Sequence, residues 1–467
     1  MVLKLSTSPC WVAGLVLVCG LLHAPEACAE RPPNVVVIFC DDLGYGDLGC
    51  FGHPTLRTPE LDAMAAGGMK FTQFYSAAPV CTPSRAALLT GRLPQRNGMC
   101  SDRRRVLFPD SKSGLPASEI TLAEILKEQG YATACVGKWH LGHLKPHLPT
   151  SNGFDSYFGI PYSNDMDRVG GKGPKGREAF WKPKIEYWNV PILRDDKVIE
   201  RPADQTTIAR RYTEESIKFI NANKGRPFFL YFAHSFPHVP LFASPKFDGK
   251  SPRGLYGDVV EEIDWSVGQV LQALRDAEVD EHTLVIFTSD NGPWLPFNDH
   301  GGSAGLLREG KGSTWEGGMR EPTIAWWPGT IKAGQTSTQI ASTMDIFATA
   351  CALAGAKLPD DRAMDSHDLT PVLKGTGQAD RDTYFYYRGY KLMAVRKGPF
   401  KAHFMTQKGY GQREPEVHDP PLLFNLEVDP GEQWDVAKEH PDVIAGILKA
   451  TEQHKANMKF APSELEK

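Results

Sequence analysis

The chain has 467 residues, of which 41% are hydrophobic, so it is long enough for a large buried core and for more than one domain. Its 52 basic and 56 acidic residues nearly cancel and form no long run of like charge, which excludes the electrostatic footprint of a nucleic-acid-binding protein. The short run 103–105, three arginines, is either a solvated patch or a basic patch that steers an anionic substrate.

The N-terminus has the pattern of a secretory signal peptide. Lys4 supplies a positive charge, residues 11–22 form an apolar run too short to span a bilayer, and residues 27–29 form a cleavage site of small residues. We predict a signal peptide over residues 1–29 and an exported protein with no membrane association after cleavage; a retained anchor is the alternative. Because the chain has no Asn-x-Ser/Thr sequon, a bacterial periplasmic or secreted protein is favoured over a lysosomal one.

Cysteine usage does not indicate a disulfide framework. Nine cysteines occur, three of them in the predicted signal peptide, and six are too few to staple a chain of this length. We predict between zero and two disulfide bridges. The sequence makes no prediction of the oligomeric state.

Four segments share one pattern: a short, continuously apolar run rich in β-branched or aromatic residues and followed directly by polar residues. Such runs are typical of parallel strands that are covered on both faces. The runs are 34–39, 131–136, 227–233 and 283–288. The polar residues that follow them are, in chain order, Asp41 and Asp42, Lys138 and His140, His234 and His238, and Asp290 and Asn291.

Residues 82–91 have the pattern of a helix, with Thr82 as its N-cap, Pro83 at the first helical position and Gly91 after the last turn. Cys81 then lies just before the helix N-terminus, where unpaired N–H groups and the helix dipole favour an anion. A cysteine in such a place is a candidate for chemistry. The alternative is an ordinary thiol, free or disulfide-bonded.

Two further helices are predicted, over 122–129 with Thr121 as N-cap and Gly130 as stop, and over 256–277, whose apolar residues at helical spacing belong to the core. Alternating strands and helices predict an α/β fold, with a large, mostly parallel sheet between layers of helices. Ligands of such sheets bind beyond the carboxyl ends of the strands, so the polar residues after the four strands should gather into one site.

The last ninety or so residues have a different pattern, in which short strands precede a final helix and predict a smaller α+β domain. The predicted strands are 384–387, 392–395 and 422–426, and the predicted helix is 441–455. We therefore divide the mature chain into a catalytic domain, residues 30–376, and a C-terminal domain, residues 377–467.

Asp41, Asp42, Asp290 and Asn291 offer only oxygen ligands. Carboxylates gathered without a cation repel one another, and a hard divalent ion relieves this repulsion. Oxygen-only ligation favours Ca²⁺ or Mg²⁺ over zinc. A turn or a helix cap is the alternative for either pair alone, but two such pairs, each directly after a predicted strand, favour a metal site.

Cationic and hydrogen-bonding side chains are predicted close to this metal site, where they suit a tetrahedral anion or a monoester. They are Arg85, Lys138, His140, His238 and Lys311. Lys311 stands between two glycines, where a lone lysine is usually solvated, so its assignment depends on the resemblance described next. His234 and His143 are interpreted as structural residues.

The motifs resemble those of the type I sulfatases, a branch of the alkaline-phosphatase superfamily, and among these the arylsulfatase A and N-acetylgalactosamine-6-sulfatase groups most. Residues 81–85, Cys-Thr-Pro-Ser-Arg, match the sulfatase pattern Cys-x-Pro-x-Arg. The resemblance covers nearly the whole mature chain, and its other motifs are 41–49, 137–142, 288–292, 310–311, 423–426 and 429–432.

The resemblance implies that Cys81 is oxidised to formylglycine by a formylglycine-generating enzyme. It also implies that the modified residue binds one Ca²⁺ ion, with Mg²⁺ as the alternative, together with Asp41, Asp42, Asp290 and Asn291. A hydroxyl of the hydrated aldehyde would attack sulfur, and the second hydroxyl would then expel sulfate by internal elimination, which divides covalent catalysis into two easier steps.

The resemblance further implies roles for the cationic residues. His238 and Lys311 would hold the sulfate and help to protonate the leaving alcohol. His140 would take the proton from the second hydroxyl, Lys138 would orient that hydroxyl, and Arg85 would stabilise the modified residue.

We therefore predict a sulfatase acting on a sulfated sugar, with the 6-position of galactose or N-acetylgalactosamine as the expected site. One alternative is a phosphomonoesterase or phosphodiesterase of the same superfamily, although those branches favour Ser or Thr nucleophiles and usually two metal ions. The other is a non-catalytic sulfated-glycan-binding protein with unmodified Cys81. Residues 294–306 either line the pocket or form a solvated connection, and residues 170–184 form a surface loop or a flap over the site.

Overall fold

The apolar runs of the sequence form the centre of a large sheet. The computed structural model describes residues 1–11, 31–171, 173 and 176–467. In chain order, the strands of these residues are β1 (Asn34–Cys40), β2 (Met69–Tyr75), β3 (Ala132–Gly137), β4 (Ser156–Gly159), β5 (Ile192–Arg194), β6 (Lys197–Glu200), β7 (Phe228–Ala233), β8 (Thr283–Ser289), β9 (Arg320–Trp326), β10 (Gln335–Ser337), β11 (Ala341–Ser342), β12 (Thr383–Arg388), β13 (Lys391–Lys397), β14 (Phe400–Thr406) and β15 (Glu416–Asn425).

Helices connect these strands. The α-helices are α1 (Pro59–Ala66), α2 (Cys81–Thr90), α3 (Pro94–Asn97), α4 (Leu122–Glu128), α5 (Glu178–Trp181), α6 (Ile208–Asn223), α7 (Leu255–Asp276), α8 (Glu316–Met319), α9 (Asp345–Ala354), α10 (Thr370–Leu373) and α11 (Pro441–Asn457). Short 3₁₀ helices cover Gly49–Phe51, Lys145–His147, Pro149–Ser151, Ile185–Tyr187, Asp280–His282 and Leu295–His300.

The large sheet has the strand order β10-β2-β9-β8-β1-β7-β3-β4-β5-β6, and β11 also pairs with β2. The four predicted strands are neighbours at its centre and are parallel to one another, in the order β3-β7-β1-β8. Strands β9, β5 and β6 run antiparallel to their neighbours on either side of this centre. The predicted α/β class is confirmed, with antiparallel strands added towards both edges.

The four central strands end at the same level. Cys40 pairs with Ser289, and both Phe39 and Gly137 are level with Ala233. Because all four strands are parallel, the polar residues that follow them emerge at one edge of the sheet.

Hydrophobic cores lie on the two faces of the sheet, because successive side chains of a strand point to opposite faces. Val36 and Ile38 of β1 pack with α7, whereas Val35 and Val37 pack with α2, α4 and α9. A strand covered on both sides must be apolar at every position, which is why β1 has no polar residue between Val35 and Cys40.

The helix signals were confirmed in α4, where Thr121 and Glu124 form a reciprocal capping box. The prediction for the N-terminus of α2 was wrong. This helix begins at Cys81 with Val80 as its N-cap, and Thr82 does not cap it, because the Thr82 hydroxyl donates instead to the carbonyl of His140 at 3.0 Å. Gly91 ends the helix in the left-handed conformation, at φ 65°.

The C-terminal part of the chain forms a second, four-stranded antiparallel sheet in the order β12-β13-β14-β15, with α11 packed against it. The sequence analysis predicted three of these strands and missed β14. In β14 the polar Lys401 and His403 are fully buried, whereas Phe400 and Phe404 are only partly buried, so its pattern is the reverse of an ordinary strand.

Residues 1–31 and 32–467 form separate units. Residues 1–11 have no regular secondary structure, and most of the predicted signal peptide, including its cleavage site, lies outside the described residues. No described helix combines the length and the hydropathy that crossing a membrane requires. Every cysteine in the described part of the chain is a free thiol.

A buried polar network joins the two sheets. The carboxylate of Glu316, in α8, accepts hydrogen bonds from Tyr75 of β2 at 2.7 Å and Tyr386 of β12 at 3.0 Å. Lys401 of β14 donates to Glu316 and lies 3.0 Å from Glu432. Burial alone would raise the pKa of Glu316, but Lys401 and neighbouring arginines outweigh it and lower this pKa to about 2. Glu316 is therefore ionised in the folded protein.

We expect Glu316→Ala to lower the free energy of unfolding by about 3–5 kcal/mol, because it leaves Lys401 with only part of its compensation in the interior. The depressed pKa stabilises the fold fully above the unfolded value of 4.5, and this contribution is lost as the pH falls towards about 2. Urea denaturation at several pH values measures both effects. The exposed Glu427→Ala is the matched control, and an equal loss in both variants would contradict the assignment.

Candidate active site

Four buried groups converge at the edge where the central strands end. One ligand atom each from Asp41, Asp42, Cys81 and His238 lies within 4.8 Å of the other three. Asp41 and Asp42 follow β1, His238 follows β7, and Cys81 begins α2. All four residues are at most 3% exposed, so the cluster is enclosed.

Asp290 and Asn291, which follow β8, complete the edge of the cluster. The backbone N–H of Asp42 donates to Asp290 Oδ1 at 3.2 Å, and Asn291 Nδ2 donates to Asp42 Oδ1 at 2.7 Å. The predicted pairs Asp41–Asp42 and Asp290–Asn291 are therefore brought together, as the level strand ends require.

Three cationic side chains balance the three carboxylates. Lys138 Nζ lies 2.5 Å from Asp41 Oδ2, and Lys311 Nζ lies 2.8 Å from Asp42 Oδ2. Arg85 Nη2 lies 2.8 Å from Asp290 Oδ2. The expected repulsion among the carboxylates is thus partly offset by the protein's own cations.

The offset is incomplete, and pKa shifts in the cluster show where repulsion remains. Burial raises the pKa of Asp42 to about 7, and the charges of Asp41 and Asp290 add to this rise against the lowering by Lys311. Burial and Asp41 also raise the pKa of Asp290. The pKa of Asp41 is lowered, because the charges of Lys138 and Arg85 outweigh its burial.

The donor set fits a hard divalent cation. Asp41 Oδ1 and Asn291 Oδ1 are buried oxygens without a hydrogen-bond partner among the described residues. Such orphaned oxygens, beside a carboxylate whose pKa is raised, are what an additional cation would satisfy. His238 also lies close enough to contribute a nitrogen, which the sequence analysis did not expect of a ligand. Both oxygens of Asp290 are already engaged, by Asp42 N–H and Arg85.

Two of these residues adopt a strained backbone. Asp42 and His140 have φ of 65° and 60°, in the left-handed region that residues other than glycine rarely occupy. Asp42 is held there by its hydrogen bond to Asp290. His140 is held by its N–H bond to the Pro161 carbonyl at 3.2 Å and by Thr82, whose hydroxyl donates to the His140 carbonyl.

The two site histidines present different ring nitrogens. His140 Nε2 lies 2.9 Å from the Leu107 carbonyl, so this nitrogen carries the proton, and the buried Nδ1 has no partner among the described residues. Burial and Lys138 lower the pKa of His140, so its Nδ1 holds a free lone pair. In His238, Nδ1 donates to the Val239 carbonyl at 2.6 Å, and Nε2 lies 3.6 Å from Asp42 Oδ2. Burial and Lys311 lower the pKa of His238.

Cys81 and Lys311 differ in charge. Burial raises the pKa of the Cys81 thiol, against the lowering by Lys138 and Lys311, so the residue is a neutral thiol. Burial would lower the pKa of Lys311, but Asp42 and other neighbours raise it, so its ammonium group stays charged. A neutral thiol is a weak nucleophile.

The other predicted histidines lie elsewhere. His234 packs against Phe232 at 4.2 Å between ring centroids, and burial lowers its pKa to about 3, so it is a neutral core residue. His143 packs near Tyr162, with 5.9 Å between the centroids. Both positions agree with their interpretation as structural residues.

Residues 163–165 were missed by the sequence analysis. Ser163 Oγ accepts a hydrogen bond from Lys138 at 3.2 Å, and Asn164 Oδ1 lies 3.1 Å from His238 Nδ1. Asp165 has a buried oxygen without a partner among the described residues and lies in the electrostatic field of Lys311 and Lys138. They follow β4, a strand of only four residues, which is too short for its apolar pattern to stand out in the sequence.

One of the two candidate loops lines the site, and the other packs against that loop. The Trp294 ring lies 5.1 Å from the ring of His238 and 4.3 Å from Lys311 Nζ, so the segment 294–306 lines the site at this residue. Phe297 packs on Trp294, with 4.7 Å between centroids. Within the described part of the segment 170–184, Phe180 packs on Phe297 at 5.1 Å. This segment therefore supports the loop beside the site.

Comparison with known proteins gives a consistent result. The Sulfatase family model matches residues 33–356, and the model for the C-terminal region of aryl-sulfatase matches residues 379–467. The chain belongs to the sulfatase family. It is 42% identical to arylsulfatase A of Bos taurus, over 97% of this chain and 93% of that protein.

Two further relatives agree with this assignment. N-acetylgalactosamine-6-sulfatase of Canis lupus familiaris is 42% identical, over 95% of this chain and 90% of that protein. The crystal structure of PsFucS1 sulfatase from Pseudoalteromonas sp. superimposes with a TM-score of 0.82, at 31% identity and 92% coverage of each chain. This sulfatase is therefore a sulfuric ester hydrolase, and its buried acidic cluster lies where its central strands end.

We expect Thr82→Val to reduce sulfate release from an aryl sulfate by up to about tenfold, the effect of one lost hydrogen bond on the position of His140. The Thr82 hydroxyl also accepts the Leu107 N–H at 3.1 Å, so it links α2 both to the backbone of His140 and to Leu107, the residue whose carbonyl bonds the His140 ring. The exposed Thr55→Val is the control. Steady-state kinetics with unchanged kcat in both variants would show that this link does not position His140.

Proposed function

We propose that this sulfatase removes sulfate from a sulfated sugar, using formylglycine at position 81 and one Ca²⁺ ion. The single observation that supports it most is the position of Cys81, at the start of α2 and within 4.8 Å of Asp41, Asp42 and His238 ligand atoms. A nucleophile next to a cation and a helix N-terminus suits an attack on an anionic ester.

Ca²⁺ and formylglycine each have a defined role in this proposal. Asp41, Asp42, Asp290 and Asn291 would hold Ca²⁺ together with residue 81, and Mg²⁺ is the alternative ion. The ion would polarise the sulfate oxygens as a Lewis acid. Formylglycine, formed from Cys81 by a formylglycine-generating enzyme, would supply a hydrated aldehyde as nucleophile in place of the neutral thiol.

The residues around the cluster divide the proton transfers between them. His140 Nδ1 has a free lone pair and would take the proton from the second hydroxyl of the hydrated aldehyde, while its Nε2 stays bound to the Leu107 carbonyl. Lys311 is charged and serves as the donor to the leaving oxygen. Lys138 orients the nucleophile beside Asp41, and Arg85 holds the start of α2 against Asp290.

His238 has a narrower role in this arrangement than the resemblance implied. Its Nδ1 donates to the Val239 carbonyl, so the neutral ring presents the lone pair of Nε2 beside Asp42 and has no proton there to give to the leaving oxygen. The protonation of the leaving alcohol therefore falls to Lys311.

The substrate class rests on the names of the relatives. N-acetylgalactosamine-6-sulfatase, by its name, acts on a 6-sulfated amino sugar, and we propose the 6-position of galactose or N-acetylgalactosamine for this chain. We also propose export to the periplasm or medium, as the N-terminal sequence predicts. An exported sulfatase meets extracellular sulfated polysaccharides.

Co-expression with a formylglycine-generating enzyme should make the peptide containing Cys81 lighter, by the exchange of one sulfur and two hydrogens for one oxygen. The matured protein should release sulfate from aryl sulfates and sulfated sugars, whereas Cys81→Ala should show no release above background. Intact-mass analysis and a sulfate assay measure the two results. Cys50→Ala, a partly buried thiol outside the cluster, is the control.

Two outcomes would replace the proposal. Faster turnover of aryl phosphate than of aryl sulfate would favour the phosphoesterase alternative. A retained thiol, glycan binding and no sulfate release under any maturation condition would favour the non-catalytic binder.

Asn291→Leu should weaken calcium binding by at least about tenfold, because it removes a buried oxygen from the donor set. Calcium that binds only the folded state raises the thermal midpoint, so the rise of this midpoint with added CaCl₂ reports affinity without any activity measurement. Asn457→Leu, on the exposed end of α11, is the control. An equal calcium-dependent rise in all three proteins would remove Asn291 from the ligand set.

A further inference from the structure

A cavity of about 340 Å³ lies next to the site, between the start of α2 and the smaller sheet. Its wall includes Val80 and Pro83, on either side of Cys81 in sequence, and Gly312, the residue after Lys311. Consecutive Cα atoms are about 3.8 Å apart, so the cavity begins within one residue of both Cys81 and Lys311. Its volume is within the range of about 300–1,000 Å³ that small-molecule sites occupy.

The cavity is strongly cationic. Arg105, Arg388, Lys391 and Arg413 line it, and Asp102 is the one carboxylate in its described wall. Asp102 accepts the N–H of Tyr390 at 2.9 Å and forms no ion pair with these four residues. The cations are therefore not neutralised by the protein, in contrast to the three cations of the catalytic cluster.

Two of the guanidinium groups converge on one backbone oxygen. Arg105 Nη1 donates to the Gly409 carbonyl at 3.0 Å, and Arg388 Nη2 donates to the same oxygen at 3.3 Å. Neither arginine has a carboxylate partner among the described residues. Burial and the charge of Arg105 lower the pKa of Arg388 to about 10, so it stays charged despite its charged neighbour.

Neighbouring groups hold the guanidinium groups of both Arg105 and Arg388 in position. The Arg105 guanidinium lies over the ring of Tyr410, 5.0 Å from its centroid, and a Cβ built on Gly312 would come within 2.8 Å of Arg105 Nη1. Arg388 also donates to the Lys408 carbonyl at 2.9 Å. Two like charges held together without a counter-ion are a costly arrangement, and a bound anion removes that cost.

We propose that Arg105 and Arg388 bind a second anionic group of the substrate, carried by the sugar next to the one that loses its sulfate. This group is a carboxylate or a second sulfate ester, since both present the paired oxygens that a guanidinium recognises. The inference rests on the proposed sulfatase function and deepens it, because it makes the substrate a polyanionic glycan. The short basic run 103–105 of the sequence thereby contributes its last member, Arg105, to substrate binding.

Matched disaccharides test the proposal with the matured protein. All three carry a 6-sulfated N-acetylgalactosamine and differ in the sugar linked to it. In the first this sugar is a uronic acid, and in the second it is the neutral sugar made by reducing the carboxylate to an alcohol. In the third the neutral sugar carries a sulfate ester. The unaltered protein should show a kcat/KM about 10- to 100-fold higher for at least one dianionic disaccharide than for the neutral partner. Which dianion is preferred identifies the group that the cavity binds.

Arg388→Gln and Arg105→Gln should each reduce that preference about tenfold or more, and Arg388→Lys should retain part of it because it keeps the charge but loses the paired donors. Exposed Arg103→Gln is the matched control and should keep the full preference. Thermal midpoints of all variants verify folding. The comparison of the three disaccharides with the unaltered protein tests the proposal even if a variant fails to fold.

The failures of the two proposals are distinguishable. Sulfate release at equal rates from all three disaccharides would overturn the second anion site while leaving the sulfatase function intact. If no disaccharide or aryl sulfate loses sulfate, the proposed function is wrong. Calorimetry of the same disaccharides with the Cys81→Ala protein then tests anion binding by the cavity without any activity measurement. Equal affinities for all three disaccharides would contradict the second anion site.

Discussion

The guanidinium of Arg85 joins helix α2 to the edge of the central sheet, and the site depends on this junction. It donates to Asp290 after β8 and to the carbonyl of Lys138 after β3, and it lies 3.6 Å from Asp41 after β1. One fully buried charge thus fixes the ends of three strands relative to the helix that carries Cys81. Removing it would leave buried carboxylates uncompensated, which is far more costly than losing an exposed ion pair.

A second constraint comes from the smaller sheet. Gly409, in the loop between β14 and β15, lies so close to the loop of Lys311 that a Cβ at this position would come within 2.2 Å of the Lys311 carbonyl oxygen. Glu316, a few residues after Lys311, receives Tyr386 and Lys401 from the same sheet. The loop that places the charged ammonium group beside Asp42 is therefore held by contacts with the C-terminal sheet as well as by its own glycines.

The sequence predicted those parts of the molecule in which a local residue pattern is compatible with a single structure. The run from Val35 to Cys40 is apolar at every position because both of its faces are covered, and the paired carboxylates after it follow from parallel strand topology. The prediction was less successful where tertiary contacts decide. Thr82 has the chemistry of a cap but donates to His140, and β14 was missed because its Lys401 is buried against Glu316 and Glu432. Pairings over such sequence separations have no local signal.

The same distinction separates the chemistry of this sulfatase from its specificity. The carboxylates of the catalytic cluster directly follow regular strands, so their geometry follows from the sheet. The cationic cavity beside this cluster is built from loops and from the ends of strands and helices, with Arg105 and Arg388 meeting across more than 280 positions of the chain at the carbonyl of Gly409. Changes in these segments can alter which glycan is bound without moving the strand ends. Membership of the sulfatase family therefore identifies the bond that is broken, whereas the proposed role of the arginine pair concerns what else the substrate carries.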